Sequence, residues 1–278
     1  MNKLLITILI LLFSFQLSFT KNIGQKSDSI VNYTDINGLK QGKWSKKYNN
    51  EKTAYIATFY NNKLIGSYKR FYKLGRPSLV VEYDSLGNET GYAKLFYDNR
   101  KMSAEGMYVS RNIKDGLWKY YGVDGRLVMS INYTKGQKDG KEITYWSNGR
   151  VMQEKNWING IEDGLWLQFF ENGKERLKVQ MKNGKRNGAY YLYYASGRYY
   201  ARGLYKNNLK HGHWIYSEPN GDTRRDTEFV NGIAADQDEI DKRVSKEIES
   251  YEQMKGLIPD PNIDNMFKYS KTYDPISK

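Results

Sequence analysis

GLWKYYGVDGRLVMSINYTKGQKDG (Gly116–Gly140) and GLWLQFFENGKERLKVQMKNGKRNG (Gly164–Gly188) state one pattern in different residues. Aligned on the first glycine, units start at Gly42, Gly66, Gly91, Gly116, Gly140, Gly164, Gly188 and Gly212, at spacings of 24, 25, 25, 24, 24, 24 and 24. Eight units therefore span 42–232, and a period in this range signals an array of supersecondary units. Nine residues into most units stands a second glycine within VDGR, SNGR, ENGK, ASGR or PNGD; Glu51 and Arg100 replace it in units 1 and 3. About twenty residues in comes a third turn, as in TKGQKDG, INGIEDG and KNGKRNG. Asn-Gly and Asp-Gly permit positive φ at low cost, so each unit reads strand, tight turn, strand, longer turn.

Aromatic columns support this reading. Two residues after the starting glycines stand Trp44, Tyr68, Ala93, Trp118, Glu142, Trp166, Tyr190 and Trp214 (position +2). At +17 stand Phe59, Tyr83, Tyr108, Tyr133, Trp157, Met181, Tyr205 and Phe229. At +5 stand Lys47, Phe71, Phe96, Tyr121, Tyr145, Phe169, Tyr193 and Ser217. Residues an even number apart on a strand share a face, so +2 and +6 lie on one face and +3 and +5 on the other. The +2 and +17 rings form the expected repeat core. The +5 row of Phe71, Phe96, Tyr121, Tyr145, Phe169 and Tyr193 either packs on itself or forms a platform for a ligand. The two 25-residue units keep +17 in register, which places their extra residue in the third turn.

The sequence Gly-x-Trp-x-x-aromatic-aromatic, then Asn-Gly-Arg/Lys, then a second strand, an aromatic and another Asn-Gly resembles MORN repeats, and more closely the MORN-repeat variant of bacteria. The resemblance covers about two thirds of the chain; units 1–3 are the degenerate ones, with Ala93 and Arg100 departing from the pattern. It implies an all-β fold: an extended, single-layer antiparallel sheet of stacked hairpins. An isolated hairpin is marginal in water, and stacking supplies the missing burial. At about 4.8 Å per strand, eight hairpins span roughly 75–80 Å.

The flanks differ in kind. Residues 1–20, with Lys3 ahead of an apolar run from Leu4 to Phe13 and with Ser18 and Thr20 before Lys21, have the plan of a cleaved secretory signal. This predicts export to the periplasm, the cell surface or the medium of a bacterium. Residues 21–41 are a polar lead-in. Within 233–278, residues 236–255 place Ile240, Val244, Ile248, Tyr251 and Met254 at helical spacing, with Asp236 and Glu239 as a capping box. This amphipathic helix is expected to cover the last hairpin, with partner binding as the rival role; residues 256–278 read as an irregular tail.

The chain carries a net +13 and contains no cysteine, which rules out disulfides and thiolate chemistry. The segment 233–278 holds 10 acids and 7 bases, so the basic charge belongs to the repeats, much of it in turns. It forms either a solvated rim or an edge for anionic lipids, glycans or proteins. No catalytic constellation is evident. His211 and His213 lack a third metal ligand, and Asp115, Asp139 and Asp163 before unit glycines suit turn chemistry. Neither a metal nor a cofactor is expected, and the leader argues against nucleic acid. The MORN resemblance implies protein contacts and, more loosely, membrane surfaces. The expected function is a non-enzymatic exported scaffold binding a protein or an anionic surface. The alternatives are a carbohydrate- or cell-wall-binding module on the +5 row, and an antitoxin-like partner-binding protein.

Overall fold

The computed structural model describes residues 31–254; the leader read at 1–20 and the tail beyond 254 lie outside the described residues. Among the described residues, nineteen strands form one antiparallel sheet, from Tyr33–Thr34 to Ile233–Ala234, in which neighbours in sequence pair except that Ile161–Glu162 and Gly164–Phe169 both pair with Val151–Ile158; one helix, Gln237–Met254, follows. The lead-in already contributes: Tyr33 and Thr34 pair with Gln41 and Lys40.

The turns exchange the roles read from sequence. The third turn is the tighter one: Tyr60 pairs with Lys63 across Asn61-Asn62, and Lys206 with Leu209 across Asn207-Asn208. Both loop residues have positive φ, 49° and 65° in the first case, as a type I′ loop requires. The +9 glycine instead closes a three-residue loop, with Gly125 N–H donating to Gly122 O and Gly122 N–H to Arg126 O. Glu51 (φ 62°) and Arg100 (φ 69°) adopt the left-handed backbone that glycine holds in the other units. The extra residue of unit 3 does fall in the third turn, which is Ser110-Arg111-Asn112 there, since Val109 pairs with Ile113.

Starting glycines such as Gly116 and Gly140 lie inside strands, at irregularities of register such as that between Lys138 and Glu142, whereas Gly91 pairs with Tyr83 without one. A second irregularity brings +5 opposite +11, as in Phe169 opposite Glu175. These bulges increase the local twist of the sheet.

One face carries +2, +4, +13, +15 and +17: Trp118 pairs with Ile131, Tyr120 with Met129 and Gly116 with Tyr133. The buried clusters lie on this ring face, around Val81, Ala93 and Trp118, around Val179, and around Trp214 and Phe229. Volume is traded between neighbouring units. Trp118 lies over Gly106, and Trp214 over Gly203, each +2 ring against the +15 glycine of the preceding unit. Both indoles are buried and donate to the next carbonyl, Met107 O and Leu204 O, at 2.9 Å. Beside Val81 the +2 residue is the small Ala93, whereas Val179 faces Tyr190.

The helix covers less than its apolar spacing predicts. Ile240 packs against the Trp214 cluster, while Val244 and Ile248 are 46% and 53% exposed. The expected capping box is replaced by an anchor: the Asp236 carboxylate accepts from Arg225 at 2.5 and 3.0 Å and from Thr227 at 2.8 Å. The cap of the last hairpin is therefore confined to the first helical turn.

Candidate functional site

Two ladders of side chains join consecutive units, and neither was read from the sequence. At +6, Tyr48, Tyr72, Tyr97, Trp146 and Tyr194 donate to the +5 carbonyl of the next unit, Phe71, Phe96, Tyr121, Phe169 and Ser217, at 2.6–3.2 Å. At +10, Lys52, Arg76, Lys101, Arg126, Arg150, Lys174 and Arg198 each donate to a turn carbonyl of the next unit, from Leu74 to Pro219. The last unit has no successor, and there these positions hold Glu218 and Asp222. One base per unit from 1 to 7 thus serves inter-unit adhesion.

The carboxylates before the unit glycines act in turns. Asp115 accepts from Lys135 N–H at 2.9 Å and Asp163 from Asn183 N–H at 3.0 Å. His213 contacts Asp226 at 3.0 Å, and no group of three metal-ligating side chains occurs among the described residues.

The +5 row lies on the face opposite the ring face. Phe71, Phe96, Tyr121, Tyr145, Phe169 and Tyr193 are all half-buried, so the row is neither an open platform nor covered by a second layer. Its members engage their own neighbours. Tyr121 donates to Glu105 at 2.6 Å, and burial followed by that carboxylate pushes its pKa up to about 12. Tyr193 stacks on Tyr199 at 5.0 Å.

The ring face bears the more distinctive chemistry. Trp118, Trp166 and Trp214 carry cations above their rings. Lys114 Nζ stands 4.8, 5.0 and 5.2 Å from the ring centres of Trp118, Tyr120 and Tyr133, and donates to Tyr120 Oη. Lys210 repeats this at 4.7, 5.2 and 5.0 Å from Trp214, Tyr216 and Phe229; desolvation lowers its pKa. Lys40 covers Trp44 and Phe59, Lys138 covers Trp157, Lys155 covers Trp166, and Arg186 covers Tyr205. Cation–π attraction of this kind is worth about 0.5–2 kcal/mol, more when water is excluded. The acids Glu142 and Glu162 on this face are paired with Lys138 and Lys155.

In units 1–3 the ring face opens into a trough of about 690 Å³, lined by Tyr55, Phe59, Tyr68, Tyr83 and Tyr108 with Lys40, Arg70 and Arg111 at its edges. Of the residues assigned to the core, Trp44, Tyr83, Tyr108, Trp118 and Tyr133 gather around this region, while Trp166 joins the Val179 cluster and Tyr205 and Phe229 join that of Trp214. Trp157 remains half-buried beneath Lys138. Burial pushes the Tyr83 pKa up to about 12 and raises those of Tyr68 and Tyr108, so these three phenols are neutral. The sequence signal for this site was the degenerate units themselves, which combine Tyr68 and Ala93 at +2 with Arg70 at +4.

No protein-family model matches the chain, and no curated protein matches it. Among solved structures it is similar to a chain of the GtfA/B complex bound to UDP and GlcNAc, at 12% identity and a TM-score of 0.16. The match covers 51% of this chain and spans only 22% of the other. A likeness at that level carries no argument.

Proposed function

We propose that the chain is an exported, non-enzymatic scaffold of MORN-like repeats that recognises an anionic partner on its ring face. The observation that carries this reading is the cation-topped aromatic face, left without a second layer along the described repeats. An aromatic trough with half-buried walls and a cationic fringe suits recognition, because rings give contact area at low entropy cost and the cations select charge. The +10 bases at the turns donate to backbone carbonyls, which favours the ring face over the turn edge as the anionic contact. The apolar leader at 1–20 supports export.

The test is salt-dependent binding of the full chain to immobilised poly-L-glutamate. Lys40→Gln with Arg70→Gln on the ring face should weaken binding at least tenfold at low salt. Lys135→Gln in one third turn with Lys206→Gln beside another should change it less than threefold. The reverse ranking would place recognition on the turn edge and overturn the proposal.

A further inference from the structure

The trough of units 1–3 has features that the rest of the ring face lacks. Trp118 and Trp214 fill the space over Gly106 and Gly203; at the equivalent place Ala93 stands beside Val81 and the ring is missing. The missing indole helps leave the opening of about 690 Å³. A second recess of about 360 Å³ adjoins it, sharing Arg70 and Leu95 with the first, and is lined also by Tyr48, Tyr72, Ser78 and Ser103.

Polar groups without partners converge on these two spaces. Ser78 is 8% exposed, and its Oγ makes no hydrogen bond. The Arg70 guanidinium forms no ion pair among those of the described residues, and the hydroxyls of Tyr55, Tyr68 and Tyr108 form no hydrogen bond among them. No carboxylate lines either space. The combined demand is specific: flat apolar faces for the rings, hydroxyls for the phenols, and one carboxylate for Arg70. A guanidinium takes a carboxylate in paired hydrogen bonds, and a pocket of this size encloses a small ligand.

We propose that this trough binds carboxylated sugar units of an acidic glycan, with Arg70 on the carboxylate and Tyr68 and Tyr108 against the sugar and its hydroxyls. This rests on the ring-face reading above and names its ligand. It also moves the carbohydrate site from the +5 row to the opposite face.

The experiment is calorimetric titration of the full chain with trigalacturonate, with its methyl ester and with a short poly-L-glutamate. Trigalacturonate should bind saturably, and the ester at least tenfold more weakly. Arg70→Gln, at an exposed side chain, should weaken the acid at least tenfold and leave the ester unchanged. Tyr68→Phe, which keeps the ring, should weaken both, and Tyr193→Phe on the other face should weaken neither. Equal binding of acid and ester, indifference to Arg70→Gln, or no saturable binding of the sugar would each overturn the proposal. If poly-L-glutamate alone binds and needs Arg70, the sugar assignment fails and the ring-face reading stands; if neither ligand binds, both fail.

Discussion

Replacing Gly106 by alanine tests the packing rule that builds the ring face. A Cβ built at Gly106 meets Trp118 Cδ2 at 2.5 Å and Cε2 and Cγ at 2.6 Å, whereas ordinary contacts begin near 3.4 Å. The indole must retreat by about 0.9 Å. It has little room to do so: Trp118 is fully buried, its Nε1–H donates to Met107 O at 2.9 Å, Tyr108 packs at 4.8 Å and Lys114 lies above. Overpacking of this sort costs about 1–3 kcal/mol. Expelling the ring would cost roughly 3–5 kcal/mol, so the strained, ring-in arrangement wins. Gly106 has ordinary φ, and alanine there recovers about 0.5 kcal/mol by restricting the unfolded chain. The expected net loss is about 0.5–2.5 kcal/mol. Urea unfolding followed by tryptophan fluorescence, with hydrogen exchange to localise the loss to units 3 and 4, measures it. Trp118→Leu should make Gly106→Ala nearly neutral. A loss below about 0.5 kcal/mol in the native background, or simple additivity in the double variant, would refute the volume exchange between +15 and +2.

Other expectations follow from the ladders and caps. Phe170 occupies a +6 position without a donor; Phe170→Tyr should gain a bond to the Tyr193 carbonyl and about 0.5–1 kcal/mol, whereas Tyr72→Phe should lose a similar amount, both read by urea midpoints. Arg100→Gly should stabilise by about 0.5–1 kcal/mol, because a non-glycine residue at φ 69° is strained, and a thermal shift in the same direction checks it. The Asp236 pKa is lowered to about 2, first by the Arg225 hydrogen bonds and then by Thr227. A depressed carboxylate stabilises above its unfolded value near 3.8 and loses that contribution as pH falls toward 2. Hydrogen exchange in Gln237–Met254 should therefore accelerate between pH 4 and 2, and Asp236→Asn should show fast exchange at neutral pH. Terminal sequencing of exported protein should begin at Lys21.

The period and the two hairpin strands per unit were legible because each recurs through eight units, so a departure in one unit does not hide the pattern. The turn assignment reversed because Asn-Gly and Asp-Gly favour positive φ in both loop types; only the pairing of Tyr60 with Lys63 shows which loop has two residues. The +10 bases looked like solvated charge. Their role depends on carbonyls some 22 residues away in the next unit, although Asp222 in the last unit was a visible sign of it. Helical spacing was correct from Ile240 to Ile248, yet spacing does not say whether an apolar stripe finds a surface, and the anchor of Asp236 on Arg225 holds only the first turn. The trough escaped notice because a site formed by a missing ring appears in sequence as degeneracy.

On the proposed reading the ring face, and not the +5 face, receives the partner. Hydroxyl-radical footprinting of the full chain with and without poly-L-glutamate tests this directly, since tyrosines mark both faces. Protection of Tyr55, Tyr68 and Tyr108 with Tyr121, Tyr145 and Tyr193 unchanged is the expected result. Protection of the second set with the first unchanged would contradict the account.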